Sequence, residues 1–166
     1  MRKAIIYTDG AARGNDSKLT DNPSAWGMIV HLDNKEVFKF GKASFGNNNN
    51  GMELTAISYA IKFVFDNNID DVNFISDSSY VLDGIQSWMP KWRKNGWKKK
   101  SGEIKYLDTW KQISYYLLEL EKKGVPVDFN YEESHVGNPG IDSVDEYVNK
   151  LMDEAIEANS QPKTLF

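Results

Sequence analysis

No cysteine occurs in the chain, which removes disulfides, thiol catalysis and Cys-ligated zinc from consideration. Long apolar runs are missing as well. AISYAIKFVF at 56–65 is interrupted by Lys62 and is too short to span a bilayer, so no membrane association is expected. The N-terminal MRKAIIYTDG holds a single short apolar run, Ala4 to Ile6; no signal peptide is expected, and the expected compartment is the cytoplasm. Internal repeats and long linkers are also lacking. What remains is a 166-residue chain that is 40% hydrophobic and 13% aromatic, enough for one packed domain. The expected boundaries are 1–158 for the domain and 159–166 for a tail.

Positive charge is scarce outside one stretch. The chain carries a net charge of −4, yet residues 88–100, WMPKWRKNGWKKK, hold three tryptophans, six Lys or Arg and no acid. Elsewhere fourteen basic residues face twenty-four acidic ones, a balance of −10. Such a protein attracts a polyanion only locally. A solvated turn would account for the same run of charge.

Hydrophobic period and turn signals give the order of elements. KAIIYTD (3–9) is a strand ending at Gly10. Trp26 to Leu32 and Glu36 to Ala43 are two more, joined by a hairpin turn at Asp33-Asn34. After NNNNG (47–51), Leu54, Ile57, Ile61 and Val64 recur at helical spacing. DVNFISD (71–77) is a strand, and SSYVLDGIQSWM is a helix with Ser78 as its N-cap. Trp110, Ile113, Leu117 and Leu120 mark a further helix stopping at Gly124, and VPVDFNYE (125–132) is a strand. A last helix starts near Asp142 with Val144, Val148, Met152 and Ala155 on one face. The expected architecture is a mixed α/β (α+β) sheet with helices packed on it. In such sheets chemistry collects at strand ends.

Acidic residues stand at those ends. Asp9 closes the first strand and Asp77 the fourth. Glu53 falls in the first turn of the helix opened by NNNNGMEL. The helix dipole alone accounts for an acid at Glu53, and turn chemistry for Asp9 before Gly10. Asp77 follows the apolar Phe74-Ile75, so it should sit near the core, where an unpaired carboxylate is costly. Acids converging on one sheet edge need a metal, and hard oxygen donors select Mg²⁺ or Mn²⁺. His135 lies in a Gly/Asn/Pro-rich loop, ten residues before Asp145 on the last helix.

These residues carry a resemblance to the type 1 ribonuclease H family over essentially the whole chain. Thr8-Asp9-Gly10, Gly14-Asn15, Asn49-Asn50-Gly51-Met52-Glu53-Leu54, Asp77-Ser78 with Tyr80 and Val81, and His135 through Asp145 match its motifs in order. WMPKWRKNGWK, followed by Asp108 and Trp110, resembles its basic handle. The chain departs from the family in the longer loop DSKLTDNPSAWG (16–27), and at Asn48, Ser79, Glu132-Glu133 and Ile141. Those departures bear on affinity, since none touches the four acids.

The resemblance implies a ribonuclease H-like fold with a five-stranded mixed sheet and helices on both faces. It implies cleavage of the RNA strand of an RNA·DNA hybrid, leaving 5′-phosphate and 3′-hydroxyl ends. Asp9, Glu53, Asp77 and Asp145 would hold two Mg²⁺ ions, with Mn²⁺ able to substitute, and His135 would move protons or assist product release. Asn15, Asn49 and Asn50 would contact 2′-hydroxyls across the minor groove. Lys91, Trp92, Lys94, Trp97, Lys98 and Lys99 would hold the backbone of the DNA strand. Rival expectations are another nuclease or polynucleotidyl transferase of the same fold, and a hybrid-binding module without catalysis. A monomer is expected. The tail NSQPKTLF loosely resembles the glutamine-plus-apolar peptides that bind sliding clamps, while packing of Leu165 and Phe166 on the domain is the plainer account.

Overall fold

The computed structural model describes residues 1–14 and 22–160. Asn15, residues 16–21 of the long loop and the Leu165-Phe166 tail lie outside the described residues. The elements are β1 (Lys3–Ala12), β2 (Pro23–Leu32), β3 (Lys35–Phe45), α1 (Asn49–Asp66), β4 (Asp71–Ser76), α2 (Ser79–Asp83), a π-helical turn (Gly84–Trp88), α3 (Met89–Lys94), α4 (Leu107–Lys122), β5 (Val127–Tyr131) and α5 (Pro139–Ser160). The five strands form one sheet in the order β3-β2-β1-β4-β5. β2 is antiparallel to β1 and β3, while β4 is parallel to β1 and β5. The mixed sheet expected from the sequence is the one that forms.

Strand alternation sends side chains to two layers. Ala4, Ile6, Met28 and Val30 join the core built with α1 and α4, where Trp110 is fully buried. Tyr7 and Ile29 pack on the other face against Ile141 and Val144 of α5. Val148 and Met152 continue that stripe against Ala25. Ile141, a departure from the family pattern, is therefore a core residue that seats the start of α5. The Asp33-Asn34 turn has φ of 51° and 63°, the two positive values a type I′ hairpin requires.

Three local expectations are corrected. β1 does not end at Asp9. Its pairing with β4 stops at Tyr7↔Ile75, but its pairing with β2 runs on to Ala12↔Ser24. The sheet thus forks beyond Tyr7, and Asp9 stands in the fork.

α1 begins at Asn49 rather than after the asparagine run, because the Asn48 side chain caps it, accepting from Gly51 N at 2.8 Å. Glu53 consequently lies in the second turn, beyond the reach of a first-turn dipole explanation. The Ser78-capped helix is present, with Ser78 Oγ accepting from Val81 N, but it widens into the π turn at Gly84. A Cβ there would lie 2.1 Å from the Trp110 ring, so the backbone opens around a buried tryptophan. No helix among the described residues is long and apolar enough to cross a membrane.

Gly10 has the tightest backbone constraint near the fork. A Cβ at Gly10 would stand 2.3 Å from Met52 C and 2.4 Å from Glu53 N, both main-chain atoms of α1. Glycine lets the helix touch the strand there. Gly10→Ala must push α1 off β1, and should cost at least about 2 kcal/mol in chemical denaturation. An unchanged midpoint would mean that the helix and strand are not locked at this point.

Candidate active site

Three elements deliver carboxylates to the fork. Asp9 comes from β1, Glu53 from α1 where it crosses Gly10, and Asp77 from the residue after β4. One oxygen from each lies within 4.8 Å of the others. Asp9 is 4% and Glu53 9% exposed, while Asp77 is half-buried. Asp145 is not within that triad. It projects from α5 into the same cleft, of about 390 Å³, which Asn49, Asn50, Ser78, Ser79 and Tyr80 also line.

Burial and mutual repulsion dominate the electrostatics. Desolvation, then the charge of Asp77, then that of Asp145, push Asp9 up to about 8 from an ordinary value of 3.8. Burial and the charges of Asp9 and Asp77 raise Glu53 well above the usual carboxylate range. Hydrogen bonding between the two side chains acts in opposite directions, lowering Asp9 and raising Glu53. Asp9 Oδ2 and Glu53 Oε2 are buried without a hydrogen-bond partner among the described residues. Orphaned buried oxygens facing a third carboxylate require a proton or a cation. An all-oxygen set fits a hard divalent ion, which Asp9, Glu53 and Asp77 could hold directly.

The other acids are aimed by neighbours. Asp145 Oδ2 lies 3.4 Å from His135 Nε2 and 3.4 Å from Asn149 Nδ2, which also donates to Asp145 O at 3.0 Å. Asn149 is in turn braced by Arg13, whose guanidinium reaches its side-chain oxygen at 3.3 Å and pairs with Asp153 at 2.7 Å. Asp77 Oδ2 accepts from Ser134 Oγ at 2.8 Å. His135 is exposed, with its backbone N bound to Asp142 Oδ1 at 2.7 Å. Ser134, Asn149 and Arg13 were absent from the sequence expectations. Asn149 was readable, being four residues from Asp145 on one helix face; Ser134 and Arg13 meet their partners only through the fold.

The remaining expected contacts divide by place. Asn49 Oδ1 accepts from Ala12 N at 2.7 Å, tying α1 to β1, and Asn50 is exposed at the cleft rim. Lys91, Lys94, Lys98 and Lys99 are exposed around α3 and the turn after it. Trp92 packs between Trp88 (6.3 Å between ring centres) and the buried Trp110 (5.6 Å). Trp97 is half-buried against the same core, in the left-handed region at φ 64°. Arg93 donates to the buried Ser114 at 3.0 Å. A brace overlooked in the sequence is Tyr106, at φ 60°, whose hydroxyl reaches the helix-capping Asn48 Oδ1 at 2.7 Å. It joins the end of the basic segment to the start of α1.

The RNase H family model matches residues 1–154. A protein named Ribonuclease H from Alcanivorax borkumensis is 36% identical over 155 residues, covering 93% of this chain and 94% of that one. Another of the same name from Paracidovorax citrulli is 32% identical over 157 residues, covering 94% and 98%. The fold is similar to that of LC9-RNase H1, described as a type 1 RNase H with the type 2 active-site motif. There the TM-score is 0.77 at 22% identity, over 93% of this chain and 74% of that one. LC11-RNase H1 in complex with RNA/DNA hybrid gives a TM-score of 0.67 at 21% identity, over 92% and 99%. The chain belongs to the ribonuclease H family.

The raised carboxyls set a sign for stability against pH. Asp9 holds its proton more tightly folded than unfolded, so its contribution is fully present below 3.8 and is lost as pH rises to about 8. With EDTA present, the wild-type stability curve should fall relative to that of Asp9→Asn across this window, at up to about 1.4 kcal/mol per pH unit. Parallel curves in denaturant titrations at several pH values would show that Asp9 is not under this repulsion.

Proposed function

We propose that this protein is an endoribonuclease hydrolysing the RNA strand of RNA·DNA hybrids with Mg²⁺ as its natural ion, leaving 5′-phosphate and 3′-hydroxyl ends. The observation that carries it is the buried triad of Asp9, Glu53 and Asp77 with two orphaned oxygens, in a chain of this family. Mn²⁺ would substitute, being another hard ion content with oxygen donors.

When bound, divalent ions supply Lewis acidity, activating water on one side of a phosphate and stabilising the leaving oxygen on the other. The chain's own part is to hold and orient. Asp9 and Glu53 offer rigid oxygens fixed by the Gly10 contact. Asp77 and Asp145 complete the acidic rim. His135 would move a proton between the cleft and solvent, a role supported by its exposed Nε2 lying 3.4 Å from Asp145 Oδ2.

Binding divides between two regions. Asn49 and Asn50 at the cleft, with Asn15, suit 2′-hydroxyls in a wide minor groove. Lys91, Lys94, Lys98 and Lys99 suit the phosphates of the DNA strand, with Trp92 and Trp97 serving that surface mainly by bracing it. The acidic remainder of the chain limits binding elsewhere. The protein is expected to act as a cytoplasmic monomer.

The direct test is cleavage of a labelled hybrid with Mg²⁺, with EDTA and with single-stranded and duplex controls. Asp77→Asn should abolish cleavage while leaving the fold as stable or more so, because it removes repulsion. Near-normal turnover by that variant sinks the assignment, and hybrid binding without any cleavage by wild type favours the non-catalytic module.

Replacing Lys98, Lys99 and Lys100 together with Ala should raise KM and leave kcat nearly unchanged, because exposed lysines meet ground and transition states alike. The same variant should flatten log affinity against log salt by about 0.7–0.9 unit per lost contact. Steady-state kinetics over a salt series check this, and a fall in kcat at constant KM would overturn it.

A further inference from the structure

Ser134 joins the His135 loop to the carboxylate triad through its side chain. Its hydroxyl donates to Asp77 Oδ2 at 2.8 Å. Nothing in the local sequence requires this, since the two residues are 57 positions apart. The fold brings them together in steps. β4 and β5 run parallel with Ser76 opposite Tyr131. Glu132 N then donates to Ser76 O at 3.1 Å, carrying the pairing one step past the strand ends. The next residues on the two strands are Asp77 and the turn holding Ser134. That turn is held from its far side as well: Asn138 Nδ2 donates to Glu133 O at 2.8 Å, and His135 N donates to Asp142 Oδ1 at 2.7 Å. Ser134 is therefore presented to Asp77 by backbone that is anchored at both ends.

An aspartate carboxylate rotates freely about its last torsion, which has only a broad preference. Asp9 and Glu53 are immobilised by burial, but Asp77 is half-buried at the cleft and has no such constraint. A hydroxyl donor on one oxygen fixes the carboxylate plane.

We propose that Ser134 is a positioning residue for the metal site: its hydroxyl orients Asp77 for divalent-cation binding and, through the same turn, holds His135 beside Asp145. Loop and metal site are then one mechanical unit. The turn that carries the proton-moving histidine is seated on a ligand of the ions, so its placement and that of Asp77 depend on each other.

This inference rests on the proposed divalent-metal function, and the test separates the two. Binding of Mn²⁺ to the free protein, without substrate, is measured by titration calorimetry for wild type, Ser134→Ala, Ser134→Gly and Ser134→Thr. Thermal melts in EDTA check that each variant is folded. Both variants lacking the hydroxyl should bind Mn²⁺ roughly tenfold or more weakly, and Ser134→Thr, which keeps it, should recover affinity to within about threefold of wild type. In activity assays the Mg²⁺ concentration for half-maximal rate should rise in the Ala variant, with KM for hybrid unchanged. If Ala and Gly variants bind Mn²⁺ like wild type, or if Thr is as weak as Ala, the hydroxyl does not position Asp77 and the inference falls. If wild type itself binds no Mn²⁺, the metal-dependent function fails first and the inference with it.

Discussion

Three carboxylates held within 4.8 Å of one another, two of them buried, constitute the constraint on which this molecule turns. Without a proton or cation between them they repel, and desolvation adds to the cost. The arrangement survives because each acid is delivered by an element whose own packing is strong. β1 is central in the sheet, α1 is buried along ten of its residues, and β4 carries the buried Phe74 and Ile75 just before its end at Ser76. Local repulsion is thus set against a core that includes Trp110, Phe74, Leu54 and Ile57, all fully buried. Stability of the whole is traded for charge density at one point, as at many functional sites.

The fork in the sheet follows from mixed topology. A strand with an antiparallel partner on one side and a parallel partner on the other need not lose both at the same residue. β1 leaves β4 after Tyr7 and stays with β2 to Ala12. The gap gives Asp9 open space on its β4 side, while Gly10 lets α1 close the other wall. Gly10 thereby connects backbone sterics to chemistry, because the atoms a side chain would strike are those of the Met52–Glu53 peptide.

The basic segment solves a different problem. Its lysines stay exposed to solvent, yet the segment keeps a defined position. The tryptophans supply the second property. Tyr80, Trp88, Trp92 and Trp110 form a chain of ring contacts from 5.5 to 6.3 Å that runs from the exposed segment into the core. Tyr106 then ties the far end back to Asn48, the cap of α1. Cationic surface and asparagine-lined cleft therefore share one rigid support, which suits recognition of a single extended ligand by both.

The sequence by itself determined the element order, the Asp33-Asn34 hairpin, the Ser78 cap, the apolar stripe of α5 and the four acids, because each is written in local period or in short motifs. It also determined the charge asymmetry, which is composition alone. It left the start of α1 misplaced, since an asparagine run reads as loop until one asparagine is seen to cap. It left β1 too short, since the end of a strand depends on its partners rather than on its own residues. Only the tertiary structure decided that Asp9, Glu53 and Asp77 meet while Asp145 stands apart with His135 and Asn149, that Trp92 and Trp97 lean on the core, and that Ser134 reaches Asp77. The triad and the Ser134–Asp77 bond join residues dozens of positions apart, and a carboxylate's surroundings are a property of the fold. Periodicity carries which face a residue takes; distance across the cleft is set by how strands pair and helices pack.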